Sequence, residues 1–83
     1  MAARWALRLL YLDELMIEVH INGQQRILSE GSTVRSLLEE LGIADRDGTA
    51  VAVNMEVIPR GAHITTPLHA GDRIEIVQAV GGG

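Results

Sequence analysis

The sequence predicts one small α+β domain: a mixed sheet of four to five strands packed against a single helix. Three observations carry this expectation. Apolar residues alternate with polar ones around Ile17 and again around Ile74, one apolar stripe at helical spacing lies between them, and turn residues separate the runs. The 83 residues are 47% hydrophobic and 22% charged, which suits one globular domain whose core is near the lower limit for independent stability. Nothing repeats internally, and no shift in composition marks a second domain.

The patterned part begins at Met16. "MIEVHIN" sets Ile17, Val19 and Ile21 against Glu18, His20 and Asn22, the period of a half-buried strand. Asn22-Gly23 is a hairpin turn signal because both residues tolerate positive φ. "QRIL" supplies the returning strand and "SEG" ends it. In "STVRSLLEELG", Val34, Leu37, Leu38 and Leu41 form a stripe at i, i+3, i+4 and i+7, with Thr33 placed to cap the helix and Gly42 to end it. "DRDG" is a loop, and "TAVAVN" is a strand with Val51 and Val53 on one face. "MEVIPR" reads as a short strand with Pro59 at its edge or end. "GAHITTPLHAGD" is irregular and turns at Ala70-Gly71-Asp72. "RIEIVQAV" closes the pattern, with Ile74 and Ile76 facing the core and Glu75 and Val77 facing away. A helix crossing over after a hairpin is the arrangement of the β-grasp, or ubiquitin-like, fold.

Ahead of this domain (16–80) lies a leader, residues 1–15, "MAARWALRLLYLDEL". It resembles a signal peptide only superficially, since Arg8 interrupts the apolar run and no small-residue cleavage site follows. Two readings stay open: a short amphipathic helix for a membrane or partner surface, or an unstructured leader, including an upstream start.

Composition narrows the chemistry. With no cysteine, the chain has no disulfide framework, thiol nucleophile or thiolate zinc site of its own. Seven basic residues, all arginine, against eleven acidic ones give a net charge of −4, which offers no nucleic-acid surface but suits a basic protein partner. The absence of lysine removes every side-chain amine that an activated acyl group could attack. No stretch approaches the roughly 18 apolar residues that span a bilayer. Glu39 and Glu40 read as a solvated helix face. His20, His63 and His69 lack metal-ligand spacing, so no metal site is expected. Ser29, Ser32 and Ser36 stand beside turns or the helix start, where hydroxyls cap backbone groups.

The interior thus offers no catalytic constellation, and attention passes to the closing "QAVGGG". One reading of Gly81, Gly82 and Gly83 is a frayed end or an expression scar. The other is a flexible arm, residues 81–83, presenting a carboxylate: glycine lacks Cβ and threads passages closed to other residues. Adenylation by ATP would give that carboxylate a good leaving group, and attack by a sulfur nucleophile would leave a thiocarboxylate on Gly83.

From Met16 onward the chain resembles the ThiS family of sulfur carriers in thiamine biosynthesis. The resemblance rests on "INGQ", "TVRSLLEELG", "VAVNMEVIPR", "LHAGDRIEIVQAV" and the terminal glycine pair, in that order. It implies a β-grasp fold and a cytoplasmic protein cosubstrate rather than an enzyme, with no cofactor of its own. It implies an E1-like adenylyltransferase of the ThiF type using ATP and Mg, and a sulfur donor such as a cysteine desulfurase. The acceptor it implies is a thiazole synthase of the ThiG type. Carried over, Gly83 is the residue adenylated and thiocarboxylated and Gly82 its partner in the motif, while Gly81 is one glycine more than the usual pair. The small subunit of molybdopterin synthase, MoaD, is a sister family. Its "PPVSGG"-like ending is absent here, although related carriers also serve transfer RNA thiolation and cysteine synthesis.

Three functions are therefore carried forward: a sulfur carrier, a noncovalent ubiquitin-like binding module, and a conjugated modifier. For a carrier, the partner surface is expected on the last strand beside the tail, with Val77 and Val80 as apolar contacts and Arg73 and Glu75 as polar ones. The competing expectation for these residues is an ordinary strand edge.

Overall fold

A computed structural model describes residues 15–79 of the chain. The strands are β1 (Met16–Ile21), β2 (Gln24–Ser29), β3 (Thr49–Val53), β4 (Glu56–Ile58) and β5 (Arg73–Gln78), and the helix α1 (Val34–Glu40) joins β2 to β3. A 3₁₀ turn, Arg60–Ala62, follows β4. The five strands make one sheet in the order β2-β1-β5-β3-β4. β1 and β5 run parallel while the other neighbours are antiparallel, so the sheet is mixed, as the hairpin-then-crossover pattern anticipated. Strand β5, last in sequence, is central in space.

The alternation read from the sequence holds in detail. Ile17, Val19, Leu28, Val51 and Ile74 are buried on one face of the sheet, and Val34, Leu37 and Leu38 of α1 pack onto them. A helix of seven residues does not persist alone in water, so this apolar contact holds α1 in place.

Both of its ends are capped. Thr33 Oγ1 accepts the Ser36 amide at 3.1 Å, and Ser36 Oγ accepts the Thr33 amide at 2.8 Å, a reciprocal cap contributing about 1 kcal/mol. At the other end, Gly42 (φ +76°) donates to Glu39 O and Ile43 to Leu38 O, at 3.0 and 2.9 Å. That turn needs a left-handed residue, which is why glycine stands there.

Two features departed from the sequence reading. Asn54 and Met55, read at the border of two strands, are the paired left-handed residues of a second hairpin turn, at φ 51° and 70°. The signal was weak because no glycine follows the asparagine. The irregular segment is also more than a connection. Leu68 is 2% exposed within the core, and His63 is buried with Nε2 3.0 Å from the Ile58 carbonyl. The carbonyls of Thr66 and His63 accept the first two helical amides, Val34 and Arg35, at 3.0 and 2.9 Å. The segment thus closes the start of α1, where orphan donors would otherwise be left.

Among the described residues, no helix is long and apolar enough to cross a membrane. The leader, apart from Leu15, lies outside the described residues. The Leu15 carbonyl accepts the Glu30 amide at 2.8 Å, extending the β1–β2 ladder by one pair.

Candidate functional site

The tail follows β5, so the site is built outward from that strand. Ile74 is 1% exposed and Ile76 is half-buried, which turns Arg73, Glu75 and Val77 to the face of the sheet away from α1. The register sets Val77 opposite Ala50, Glu75 opposite Ala52, and Ala52 opposite Val57. Val77 is 62% exposed and Val57 71% exposed, separated by the two small alanines. The result is a shallow apolar patch across β5, β3 and β4. Arg73 lies beside His20 of β1 and, with Glu75, forms the polar border.

Three of the four expected surface residues, Val77, Arg73 and Glu75, therefore share one exposed face. Val80 lies outside the described residues, as do Gly81, Gly82 and Gly83. Sequence reasoning missed Ala50, Ala52 and Val57. The alternation of "TAVAVN" contained the two alanines, but their proximity to Val77 depends on strand order.

Beyond this face, β5 is held up to its last described residue. Thr49 pairs with Gln78, and the Ala79 amide donates to Gly48 O at 2.9 Å. From the opposite flank, the Asn22 side chain bonds both backbone groups of Ile76. The tail thus departs from a fixed root at the end of a central strand.

Elsewhere the titratable groups do ordinary work. Asp72 is buried and accepts from Asn54 Nδ2 at 3.0 Å and from the His69 amide at 2.8 Å, locking the turn before β5. Arg35 reaches Asp45 at 3.1 Å and Glu39 at 3.9 Å; Arg26 reaches Glu40 at 3.4 Å. Surface pairs of this kind contribute little. Among the described residues, no group of three or more histidine, aspartate or glutamate side chains could hold a metal ion. A groove of about 410 Å³ opens on the helix side, with Ile21, Leu41, Ile43 and Ile76 as its apolar lining and Arg26 as its charged group.

The sequence model of the ThiS family matches residues 13–83, most of the chain and all of the domain just described. The chain belongs to the ThiS family. The sulfur carrier protein ThiS of Thermus thermophilus is 38% identical over 65 residues, covering 78% of this chain and 98% of that protein. The crystal structure of the thiamine biosynthesis protein ThiS from Geobacter metallireducens superposes with a TM-score of 0.69 at 30% identity, covering 81% of this chain and 100% of that one. The fold is thus the ubiquitin-like β-grasp of ThiS. A thiazole synthase of Paramagnetospirillum magneticum is 41% identical over 63 residues, which is 76% of this chain but 19% of that protein. The chain therefore spans about a fifth of the length of the thiazole synthases it matches.

Proposed function

We propose that this ThiS-family chain is a sulfur carrier for thiazole formation, a protein cosubstrate that works in the cytoplasm and has no catalytic site of its own. Gly83 is the reactive residue. An oxygen of its carboxylate attacks the α-phosphorus of ATP, supplied with Mg by an E1-like enzyme, and pyrophosphate leaves. A sulfur nucleophile at the hydrosulfide level, released when a thiol reductant cleaves the persulfide of a donor such as a cysteine desulfurase and is left in a disulfide with it, then attacks the acyl carbon. AMP departs with the bonding electron pair, and the carbonyl carries sulfur in place of oxygen. Thiazole synthase accepts that sulfur, a reading supported by the likeness to two proteins of that name.

The observation that carries this proposal is the anchoring of the tail's root. Ala79 is fixed to Gly48, so the chain leaves from a defined point on the central strand. Four more residues span at most about 14 Å when extended. That reach is enough to enter another protein's active site while the apolar face around Val77 rests on its surface. Val77 and Val80 supply the apolar contacts, Arg73 and Glu75 the polar ones, and Ala50, Ala52 and Val57 complete the patch.

Deleting both Gly82 and Gly83, which leaves no glycine pair at the end, tests the assignment. It should abolish ATP–pyrophosphate exchange with the cognate activating enzyme while leaving the thermal transition unchanged. Gly82→Ala should be impaired too, because a methyl restricts φ and widens the chain in a passage shaped for bare backbone. Gly81→Ala should be milder, since Gly81 stands outside the family's glycine pair. Full exchange by the chain lacking Gly82 and Gly83 would move the reactive site elsewhere.

A further inference from the structure

Pairing between β1 and β5 stops where β1 ends. His20 pairs with Arg73 and Ile21 with Ile74, and the chain then turns away at Asn22-Gly23. Strand β5 continues to Gln78, and beyond Ile74 no described strand pairs with it on that side. The Asn22 amide still donates to Ile74 O at 2.9 Å. Its side chain then reaches two residues further: Oδ1 accepts the Ile76 amide at 2.9 Å and Nδ2 donates to Ile76 O at 3.1 Å. One carboxamide thus replaces the peptide group that a longer β1 would have supplied. The residue sits at φ 50°, a conformation asparagine tolerates better than most side chains.

Asn54 repeats the device at the start of the same strand. At φ 51° its amide donates to Arg73 O at 2.7 Å and its Oδ1 accepts the Arg73 amide at 2.9 Å. The two asparagines grip β5 from opposite flanks and opposite ends. Only the Asn22 end leads into the tail. On the β3 side the grip continues through Thr49 and Gly48 to Ala79. Among the described residues, the last part of β5 would hang from β3 alone without Asn22.

We infer that Asn22 is a positioning residue for the carrier reaction. By holding Ile76 it sets the direction in which the tail leaves the sheet, and so how often the terminal carboxylate reaches the nucleotide in a reactive pose. This rests on the carrier reading above. It differs from a purely structural role because the chemistry lies several residues away, where small displacements are costly in rate.

The test compares Asn22→Gly, which keeps the left-handed turn and removes only the side-chain bonds, with Asn22→Asp, which keeps an acceptor for the Ile76 amide. Thr33→Ala serves as the control for stability, since its cap lies at the helix start. All are assayed as full-length chains with the cognate activating enzyme, at a temperature where each is folded. Asn22→Gly should lower kcat/KM for activation on the order of tenfold relative to wild type. Asn22→Asp should recover part of that loss, and Thr33→Ala should stay near wild type. Amide hydrogen exchange at Ile76 should accelerate in Asn22→Gly and stay unchanged in Thr33→Ala. Equal activation of Asn22→Gly and wild type would overturn the inference, as would an equal loss in Thr33→Ala. A wild-type chain that is never activated would instead sink the carrier reading, and unchanged Ile76 exchange in Asn22→Gly would show that the clamp does not hold the strand.

Discussion

Gly48 and Ala79 meet at the root of the tail. The Gly48 carbonyl accepts the Ala79 amide at 2.9 Å, and a Cβ placed on Gly48 would lie 3.0 Å from the Ala79 methyl. Gly48 also stands at φ +78°, so two independent constraints call for glycine there. Gly48→Ala should cost about 1–2 kcal/mol from the left-handed backbone alone. Urea unfolding should show a lower midpoint with an unchanged slope. An unshifted midpoint would mean that the loop relaxes freely and does not anchor the tail.

The exposed face around Val77 yields a binding prediction. Val77 lies opposite Ala50 and is already largely in water, so a carboxylate there displaces no core contact. Val77→Asp should change stability by no more than about 0.5 kcal/mol. Its affinity for the activating enzyme, measured by calorimetry, should fall at least about tenfold if Val77 is an interface anchor. A folded variant that binds like wild type would remove this face from the interface.

Leu68 tests the core. It belongs to an irregular segment yet packs fully against the helix and sheet. Leu68→Ala should cost about 2–5 kcal/mol. Small domains have only about 5–15 kcal/mol in total, so circular dichroism should show a markedly lower thermal midpoint. A loss well under 1 kcal/mol would indicate that the segment is dispensable.

These residues also show what was legible in the sequence. Where a single period governs a run, as in "MIEVHI", "TVRSLLEEL" and "RIEIV", both the element and its buried face could be read directly. The cap at Thr33 and the stop at Gly42 follow from local backbone chemistry and were equally visible. Leu68 and His63 were not, because their burial depends on a distant helix start whose amides need the carbonyls of that segment. The Asn54-Met55 turn was hidden for a related reason: its left-handed backbone is supported by bonds to Arg73 and Asp72, far along the chain. The site divides in the same way. Alternation gave the outward direction of Arg73, Glu75 and Val77, but the clamp of Asn22 on Ile76 spans 54 positions and leaves no local mark.

The alternating pattern that builds the domain begins at Met16 in the sequence. A chain lacking residues 1–14 should therefore fold and be activated as well as the full one. Its thermal midpoint should lie within about 4 °C of the full chain, equivalent to less than about 1 kcal/mol. A larger drop would show that the leader packs against the domain.

The most direct measurement is intact-mass spectrometry of the wild-type chain after incubation with ATP, Mg, its cognate activating enzyme and a sulfur donor. The carrier account predicts a gain equal to the replacement of one oxygen by sulfur, localised by fragmentation to Gly83 and absent when ATP is omitted. A chain that, with its cognate enzyme, shows neither an acyl-adenylate nor that replacement would contradict the account.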